Sequence, residues 1–551
     1  MTSQEPGAGA AATWAPLVSG RHIEEAAEFL DEHPGPLELP ADHPLVGRLA
    51  FVLAQRGRMG QAVELATSLR GLDLDVMGMT DAAQVQHLAD AAQARVWVSW
   101  LEHRPDDEAV AAARRLLATD AVLPLDPARR ATLHFSLAAA LMGRSGDPQL
   151  LDDCADHLGA ARSQATMLGY LPLEVASLAR LALLHVPGGD VETARRLATA
   201  ALTKGESLNG DGTAGATAAA YWRFISTTVE QWARYYQGLS MSSEAVAAID
   251  GWMPQFAFDP VAGTVAGTVV ALNHAQLGRV QQARSTLNAL LAERSFAELG
   301  VWRVRPMVTD AYLAVASGDD SRARDRVADL TQAGAPGEAL LIRATLLVAA
   351  ADNAGALTAL AGVTRGQVRA TGLTFPVACA LEALLLEQSG QSALADQSLR
   401  QAVGAAEPYA ARRLFALHDP PLMVRLLQRA VAERPGDRWA QDILTFLDGE
   451  QGPGDRPATI AVHDTAQQTA ASDAGSPDPD VTLSNPSPLT GREIQVLALV
   501  NQGASQAQMA RELYVSLNTV KTHLRSIRQK LGVERTGEAA AVARSAGWLD
   551  G

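Results

Sequence analysis

The chain has 551 residues and a formal net charge of −15, so its length allows several domains and its charge argues against general nucleic-acid binding. Its two cysteines, Cys154 and Cys379, form no CxxC pair, which excludes a disulfide framework and suits a reducing, cytoplasmic environment. No apolar run reaches the roughly 18 residues of a transmembrane helix, so we expect no membrane association.

The N-terminal residues 1–14 are small and polar, without a basic start or an apolar run. This composition predicts a disordered tail rather than a signal peptide. From residue 15 to 448, one helical pattern follows another, with turns at Gly, Asp and Pro and almost no alternating strand pattern. We therefore predict a large all-α region.

A Gly-x4-Ala pattern recurs in this region between two apolar helical stretches. The copies are Gly57/Ala62, Gly189/Ala194, Gly278/Ala283, Gly318/Ala323 and Gly390/Ala395, with a degenerate copy at Ala351/Ala356. We predict that each glycine ends one helix and that the small alanine lets the next helix pack closely against it. The spacing resembles that of tetratricopeptide repeats, with a period of about 34 residues.

This resemblance implies a solenoid of stacked helix pairs. We expect the solenoid to receive a signal from a small molecule or a protein. Neighbouring pairs must stack because a single pair cannot bury its apolar face alone. A plain α-helical bundle is the alternative interpretation.

Two further features of this region have a functional and a structural interpretation. Gly210, Gly212 and Gly215 match the dinucleotide pattern GxGxxG, but a predicted helix precedes them where a strand is needed, so we interpret them as an inter-helix loop. A second feature is a group of aromatic residues, which could line a ligand pocket or fill the core. We favour the core for all five: Tyr221, Trp222, Trp232, Tyr235 and Tyr236.

No motif of catalysis or metal binding is present. The chain lacks GxxxxGK[ST], HExxH and Gly-x-Ser-x-Gly, so we predict no catalytic residues, no cofactor and no metal site. Residues 449–487 are rich in Gly, Pro, Ser and Asp without apolar periodicity, which predicts a flexible linker.

The final segment, residues 488–551, has the pattern of four short helices. Thr490 with Glu493 and Ser505 with Gln508 are capping boxes that begin the first and second helices. Only two residues separate the second helix from the next start at Ser516, which is typical of a helix-turn-helix.

The third helix of this segment has two distinct faces. Its apolar stripe is formed by Leu517, Val520, Leu524, Ile527 and Leu531, and its polar face by Asn518, Lys521, Thr522, Arg525 and Arg528. Such a polar face offers hydrogen-bond donors to base edges in a B-DNA major groove. Gly532 is placed to end the helix as a C-cap glycine.

These residues carry a second resemblance. The motifs LTGRE, VSLNTVKTHLRSIRQKLGV and EAA resemble the LuxR-type helix-turn-helix of bacterial transcription regulators. The large MalT-like members of that family have a nucleotide-binding domain before their repeats, but without GxxxxGK[ST] we expect no ATP-driven switching here. The resemblance implies binding to double-stranded DNA as a homodimer. It assigns dimerisation to helix four, with Ala539, Ala540, Val542 and Ala543, although this helix could instead only cover helices one and three.

The resemblance and the groove geometry together assign roles in DNA binding. Lys521, Thr522 and Arg525 are expected to face base edges. Contacts to the phosphate backbone are expected from Ser505, Ser516, Asn518, Thr519 and Arg528. Val520, Leu524 and Ile527 hold the helix in place, and His523 could touch a phosphate or pack its ring.

The charge distribution fits this division. Residues 489–551 contain eight Lys and Arg against five Asp and Glu, a net charge of +3, so the rest of the chain carries −18. We interpret the chain as a transcription regulator with a helical-repeat sensor. The rival interpretation is an interaction scaffold with a degenerate helix-turn-helix, because Gln506, Ala507 and Thr536 depart from the family pattern. An enzyme with a helical-repeat body is a third interpretation, which lacks a catalytic motif.

Overall fold

The computed structural model describes residues 21–450, apart from short gaps, and twelve residues of the C-terminal segment. The gaps are residues 34–38, 41–42, 56–57, 73, 75–80, 105, 119–123, 144–147, 208–211, 294–295 and 297. The twelve residues are 496–497, 499–500, 509, 524, 527–528, 531, 533 and 538–539. The described residues form helices and 3-10 turns and contain no strand.

The helices follow one another without a long intervening loop among the described residues. They are α1 Arg21–Glu32, α2 Val46–Gln55, α3 Met59–Ser68, α4 Ala82–Leu101, α5 Asp107–Ala118, α6 Pro127–Met142, α7 Pro148–Leu168, α8 Leu171–Leu184, α9 Val191–Gly205, α10 Gly212–Tyr236, α11 Ser243–Trp252, α12 Pro260–Gln276, α13 Val280–Ala292, α14 Val304–Ala316, α15 Asp320–Gln332, α16 Pro336–Ala349, α17 Asn353–Thr364, α18 Thr374–Gln388, α19 Ser392–Ala406, α20 Pro420–Glu433 and α21 Arg438–Glu450.

From α2 to α19 the helices alternate between an inner and an outer row. Each even-numbered helix from α4 to α16 packs on the even-numbered helices before and after it, whereas each odd-numbered helix from α3 to α19 packs on its two neighbours in sequence. Stacked helix pairs of this kind form an α-solenoid, in which each pair buries its apolar face against the next. The predicted all-α solenoid is therefore confirmed, and the plain bundle is not.

The two rows differ in burial because the inner helices are surrounded by others. In α14, every residue from Val304 to Val315 is buried. In the outer α15, Ala323 and Leu330 are the buried residues and the opposite face is charged. The outer row is thus amphipathic, and the inner row forms the core.

The turns within the helix pairs confirm the Gly-x4-Ala prediction. Backbone φ lies between +70° and +79° at Gly189, Gly278, Gly318 and Gly390. This left-handed conformation suits glycine, which has no Cβ to meet the following carbonyl. The alanine five positions later is fully buried in each copy: Ala194, Ala283, Ala323 and Ala395. Gly57 lies outside the described residues, although its partner Ala62 is also buried.

Segments between the helices bring distant repeats together. Trp302 lies in a 3-10 turn, Gly300–Arg303, and its indole N–H donates to the carbonyl of Met142, 160 residues away, at 2.9 Å. Arg413 lies in a second 3-10 turn, Arg412–Ala416, and donates to the carbonyl of Tyr235 at 2.8 Å. These turns connect early and late repeats of the solenoid across its inner row.

The GxGxxG pattern differs from its predicted structure. A helix, α9, precedes the pattern as predicted, which is the wrong context for a dinucleotide-binding loop. The prediction of a loop is wrong for Gly212 to Gly215, because these residues form the first turn of α10.

Contacts divide the chain into two compact units. The first contains all residues up to Leu444 together with residues 458–463, and the second contains the other residues after Leu444. Among the described residues, no helix is both long and apolar enough to cross a bilayer.

Candidate functional site

The aromatic group on α10 is buried, and it divides into two parts. Tyr221, Trp222 and Trp232 belong to the solenoid core, with side chains at most 1% exposed. For these three residues, the prediction of core packing is confirmed.

Tyr221 is part of a buried polar cluster between α8, α10 and α12. Its hydroxyl donates to a carboxylate oxygen of Asp259 at 2.6 Å, and the Arg180 guanidinium donates to the same hydroxyl at 2.6 Å. Arg180 also lies 2.8 Å from Asp259. Burial raises the pKa of Tyr221 well above its usual value, so the phenol keeps its proton for Asp259. A buried arginine is thus neutralised by a carboxylate and fixes three inner helices together.

Tyr235 and Tyr236, at the end of α10, line a cavity of about 40 Å³. The other walls come from α12, α14, α16 and α18 of the inner row, and the turn Arg412–Ala416 lies over it. Its polar lining consists of guanidinium, phenol and hydroxyl groups: Tyr235, Tyr236, Arg305, Thr309, Tyr312, Thr374 and Arg413. Tyr235 and Tyr236 are buried too, at 6% and 9% exposure, so the prediction of core packing also holds for them, and in addition they line this cavity.

The sequence analysis did not predict Arg305, Tyr312 and Arg413 as functional candidates. Arg305 is 8% exposed, and a nitrogen of its guanidinium donates to the hydroxyl of Thr371 in the turn before α18. Burial raises the pKa of Tyr236, and the neighbouring Arg305 partly offsets this rise. The sequence does place Arg305, a charged residue, in a mostly apolar helical stretch, which could have indicated a functional residue. Asp310 lies in the same stretch, so this pattern alone does not distinguish the two residues.

In the C-terminal segment, the described residues are helical at each predicted helix, and six of the twelve are buried. Val496 and Leu497 are buried in the first predicted helix, Met509 in the second, and Leu524 and Ile527 in the third. Leu524 and Ile527 belong to the predicted apolar stripe, which is confirmed at these two positions.

The predicted end of the third helix also has a structural counterpart. The backbone N–H of Val533 donates to the carbonyl of Arg528 at 3.0 Å. A hydrogen bond between residues five apart is typical of the Schellman C-cap. Arg528 is half-buried, and its Nε donates to the carbonyl of Leu524 at 3.2 Å, which holds the side chain along its own helix.

The remaining predicted DNA contacts lie outside the described residues: Lys521, Thr522, Arg525, Ser505, Ser516, Asn518 and Thr519. Val520 and His523 are outside them too. In helix four, Ala539 is fully buried within the single chain, which favours a covering role over a dimer contact for this residue. Ala540, Val542 and Ala543 are not described.

Comparison with known proteins identifies the C-terminal segment. Residues 487–543 match the family described as "Bacterial regulatory proteins, luxR family". This segment is a LuxR-family domain. The LuxR-family domain covers a small part of the chain, so the family assignment applies to the segment.

Individual relatives agree with this assignment. The chain is 52% identical over 58 residues to the HTH-type transcriptional regulator MalT of Yersinia pestis (strain Pestoides F) and to that of Yersinia pseudotuberculosis serotype O:1b (strain IP 31758). The match covers 10% of this chain and 6% of each relative, and it falls in the region of the LuxR-family domain.

Two solved structures resemble the chain weakly over most of its length. One is from the APC/C hetero-tetramer Cut9-Hcn1, with a TM-score of 0.34 and 13% identity over 77% of this chain and 92% of that one. The other is a circular tandem repeat protein, with a TM-score of 0.15 and 15% identity over 81% and 95%. The solenoid architecture therefore rests on the helix packing, and the LuxR-family domain on its sequence.

The described residues contain no group that suggests metal chemistry. No three or more His, Cys, Asp or Glu side chains in this part of the chain are placed to hold a metal ion. Cys154 and Cys379 are both buried free thiols, and burial raises the pKa of each to about 12. A thiol with so high a pKa is a poor nucleophile at neutral pH.

Proposed function

We propose that this protein is a sequence-specific DNA-binding transcription regulator whose helical-repeat region senses a ligand or a protein partner. The observation that carries the DNA-binding role is the match of residues 487–543 to the luxR family. The relatives named above are HTH-type transcriptional regulators, and their similarity to this chain falls in the region of the LuxR-family domain.

The predicted contacts divide into two groups that an experiment can separate. Lys521, Thr522 and Arg525 read base edges, and the phosphate backbone is held by Ser505, Ser516, Asn518, Thr519 and Arg528. Burial of Leu524 and Ile527 supports this arrangement, because it turns the opposite face of the same helix away from the core. Phosphate contacts fix position, whereas base contacts give specificity.

Replacement of Arg525 tests the base-reading role. Operator sites are first found by genome-wide footprinting, and affinity is then measured for the full chain. Arg525→Ala should weaken binding to the operator by about 1–3 kcal/mol and binding to random DNA by much less. Arg544→Ala is the matched control, because it removes one positive charge outside the predicted recognition helix. It should slightly weaken binding to both the operator and random DNA. An equal loss on both DNAs for Arg525→Ala would restrict Arg525 to a phosphate contact.

The dependence of binding on salt tests the rival scaffold interpretation. Each neutralised phosphate should contribute a slope of about −0.9 to the logarithm of affinity against the logarithm of salt concentration. A regulator that uses the basic face of helix three should show a clearly negative slope. Absence of salt-dependent binding to genomic DNA would instead favour a scaffold with a degenerate helix-turn-helix.

We further propose that the protein binds DNA as a homodimer, as the LuxR resemblance implies. Operators should then contain two half-sites related by twofold symmetry. Footprints with single, unpaired half-sites would count against the dimer.

A further inference from the structure

Arg305 differs in its charge pairing from two other buried arginines of the solenoid, Arg95 and Arg180. These two are 3% and 1% exposed and each pairs with a carboxylate: Asp106 lies 3.0 Å from Arg95, and Asp259 lies 2.8 Å from Arg180. Such pairing is expected, because an uncompensated charge is costly to bury. Among the described residues, no carboxylate forms an ion pair with Arg305, whose Nε is buried without a hydrogen-bond partner.

The cavity beside Arg305 is lined by hydrogen-bond donors and by no carboxylate. The residues that line the cavity are tyrosines, threonines, arginines and aliphatic residues, without Asp or Glu. Burial keeps the phenol of Tyr236 protonated by raising its pKa, so this side chain can donate a hydrogen bond. Thr371, which accepts a hydrogen bond from Arg305, donates its backbone N–H to the carboxylate of Glu338, which is not part of the cavity lining.

The size of the cavity limits the group that it can hold. A water molecule needs roughly 10–15 Å³ of such space, so about 40 Å³ accommodates a group of three or four non-hydrogen atoms. A carboxylate group has three non-hydrogen atoms and a phosphate has four oxygens around one phosphorus, so both are close to this size, and a guanidinium binds both through paired hydrogen bonds. Leu272, Val308 and Val377 on the walls suit a short apolar substituent.

We propose that the cavity binds the oxyanion of a small metabolite, a carboxylate or a phosphate, with Arg305 as its main partner. Tyr236 and Tyr312 complete the donor set, and Arg413 closes the cavity from the turn above it. The proposed site rests on the sensing role given under Proposed function and names the chemistry of the ligand. It lies between five inner helices, so a bound anion would hold successive repeats in one arrangement.

Binding is tested on the full-length protein without DNA, by thermal unfolding and by titration calorimetry. The probes are inorganic phosphate, acetate and the neutral acetamide, each at tens of millimolar and at constant ionic strength in chloride. At least one anion should raise the unfolding temperature, and acetamide should not. The anion that binds shows whether the oxyanion of the ligand is a phosphate or a carboxylate. If neither anion has an effect on the wild-type protein, the proposal is wrong.

Arg305→Gln is the decisive variant, and Arg343→Gln is its matched control. Arg343 is exposed on α16, so its replacement removes the same charge outside the cavity. Arg305→Gln should weaken anion binding at least tenfold and should leave the unfolding temperature in chloride unchanged or higher, since it removes an unpaired buried charge. Arg343→Gln should bind as the wild type does. Equal anion affinity in the two variants would overturn the proposal.

Tyr236→Phe provides a second variant with a smaller structural change. It retains the ring, so folding should be preserved, and loss of one donor should weaken anion binding several-fold. Unchanged affinity would remove Tyr236 from the site. Operator affinity with and without the anion is measured separately. An anion that binds without changing operator affinity would refute the sensing role and leave the binding site intact.

Discussion

At the scale of single residues, the turns within the helix pairs allow a direct test of backbone strain. Gly318 and Ala351 occupy equivalent turn positions, with φ of +70° and +59°. No atom lies within 4 Å of a Cβ built at Gly318, so the effect of a substitution there comes from the backbone conformation. The left-handed conformation costs a residue with a Cβ roughly 1–2 kcal/mol, partly offset by the greater freedom of glycine in the unfolded chain.

Opposite substitutions at these two positions should therefore have opposite effects on stability. Gly318→Ala should lower, and Ala351→Gly should raise, the free energy of unfolding by about 1 kcal/mol each in urea denaturation. Gly143→Ala is the control, because Gly143 has φ of −68° and open space around it, and this variant should be neutral or slightly stabilising. Destabilisation by Ala351→Gly would show that strain is not what distinguishes this turn.

A pair of histidines makes stability depend on pH. The Nδ1 atoms of His134 and His157 lie 2.9 Å apart, so one must donate and the other accept. Burial, together with the neighbouring His157, lowers the pKa of His134 from 6.5 to about 4, and burial also lowers the pKa of His157. Because the unfolded chain binds these protons more readily, the stabilisation is complete above about pH 6.5 and is lost as the pH falls towards 4.

His134→Gln should reduce this loss. The free energy of unfolding should fall less steeply between pH 6.5 and 4, by up to about 1.4 kcal/mol per pH unit for one proton. The measurement is a series of urea denaturation curves across this range. Replacement of the exposed His33 by Gln should leave the slope unchanged. If the free energy of unfolding of His134→Gln depended on pH as steeply as that of the wild type, His134 would not be the cause of the pH dependence.

At the scale of helices, the polar cluster of Arg180, Tyr221 and Asp259 connects three inner helices. Asp259→Asn would leave the buried Arg180 without its counter-charge, which should cost about 3–5 kcal/mol. Tyr221→Phe removes one hydroxyl and should cost about 1–3 kcal/mol. Unfolding midpoints of the two variants compare these effects. A larger loss for Tyr221→Phe than for Asp259→Asn would show that hydrogen bonding, and not charge, holds the cluster.

The helix scale also shows what the sequence could predict. The Gly-x4-Ala turns were predictable because their signal is local: a left-handed glycine ends one helix, and a small residue begins the next contact. The buried stripe of the predicted recognition helix was predictable for the same reason, from the spacing of Leu524 and Ile527.

The cavity could not be predicted from the sequence, because Arg305 and Asp310 are both charged residues among the apolar residues of α14. Asp310 is paired with Arg322 and Arg326 in the neighbouring helix, whereas Arg305 reaches Thr371, 66 residues away. Only the three-dimensional structure distinguishes a charged side chain that forms ion pairs, such as Asp310, from one that can still bind a ligand of opposite charge, such as Arg305.

At the scale of the whole molecule, the LuxR-family domain and the solenoid are expected to have separate roles in DNA binding and in sensing. The two parts carry charges of opposite sign, +3 for residues 489–551 and −18 for the remainder. An acidic body repels DNA and competes with it for a basic module, so the solenoid should weaken DNA binding or leave it unchanged. A signal can alter this balance only through different affinities for two states of the protein.

Comparison of the fragment 485–551 with the full chain tests this division of roles. We expect the fragment to fold alone, to bind the operator at least as tightly as the full chain at the same salt concentration, and to lose any response to the signal. Circular dichroism establishes folding, and fluorescence anisotropy with a labelled operator gives both affinities. The advantage of the fragment should shrink as salt increases, because the repulsion that it escapes is screened. If the fragment is folded but binds more weakly than the full chain, the solenoid contributes to DNA binding itself, most directly by bringing two LuxR-family domains together.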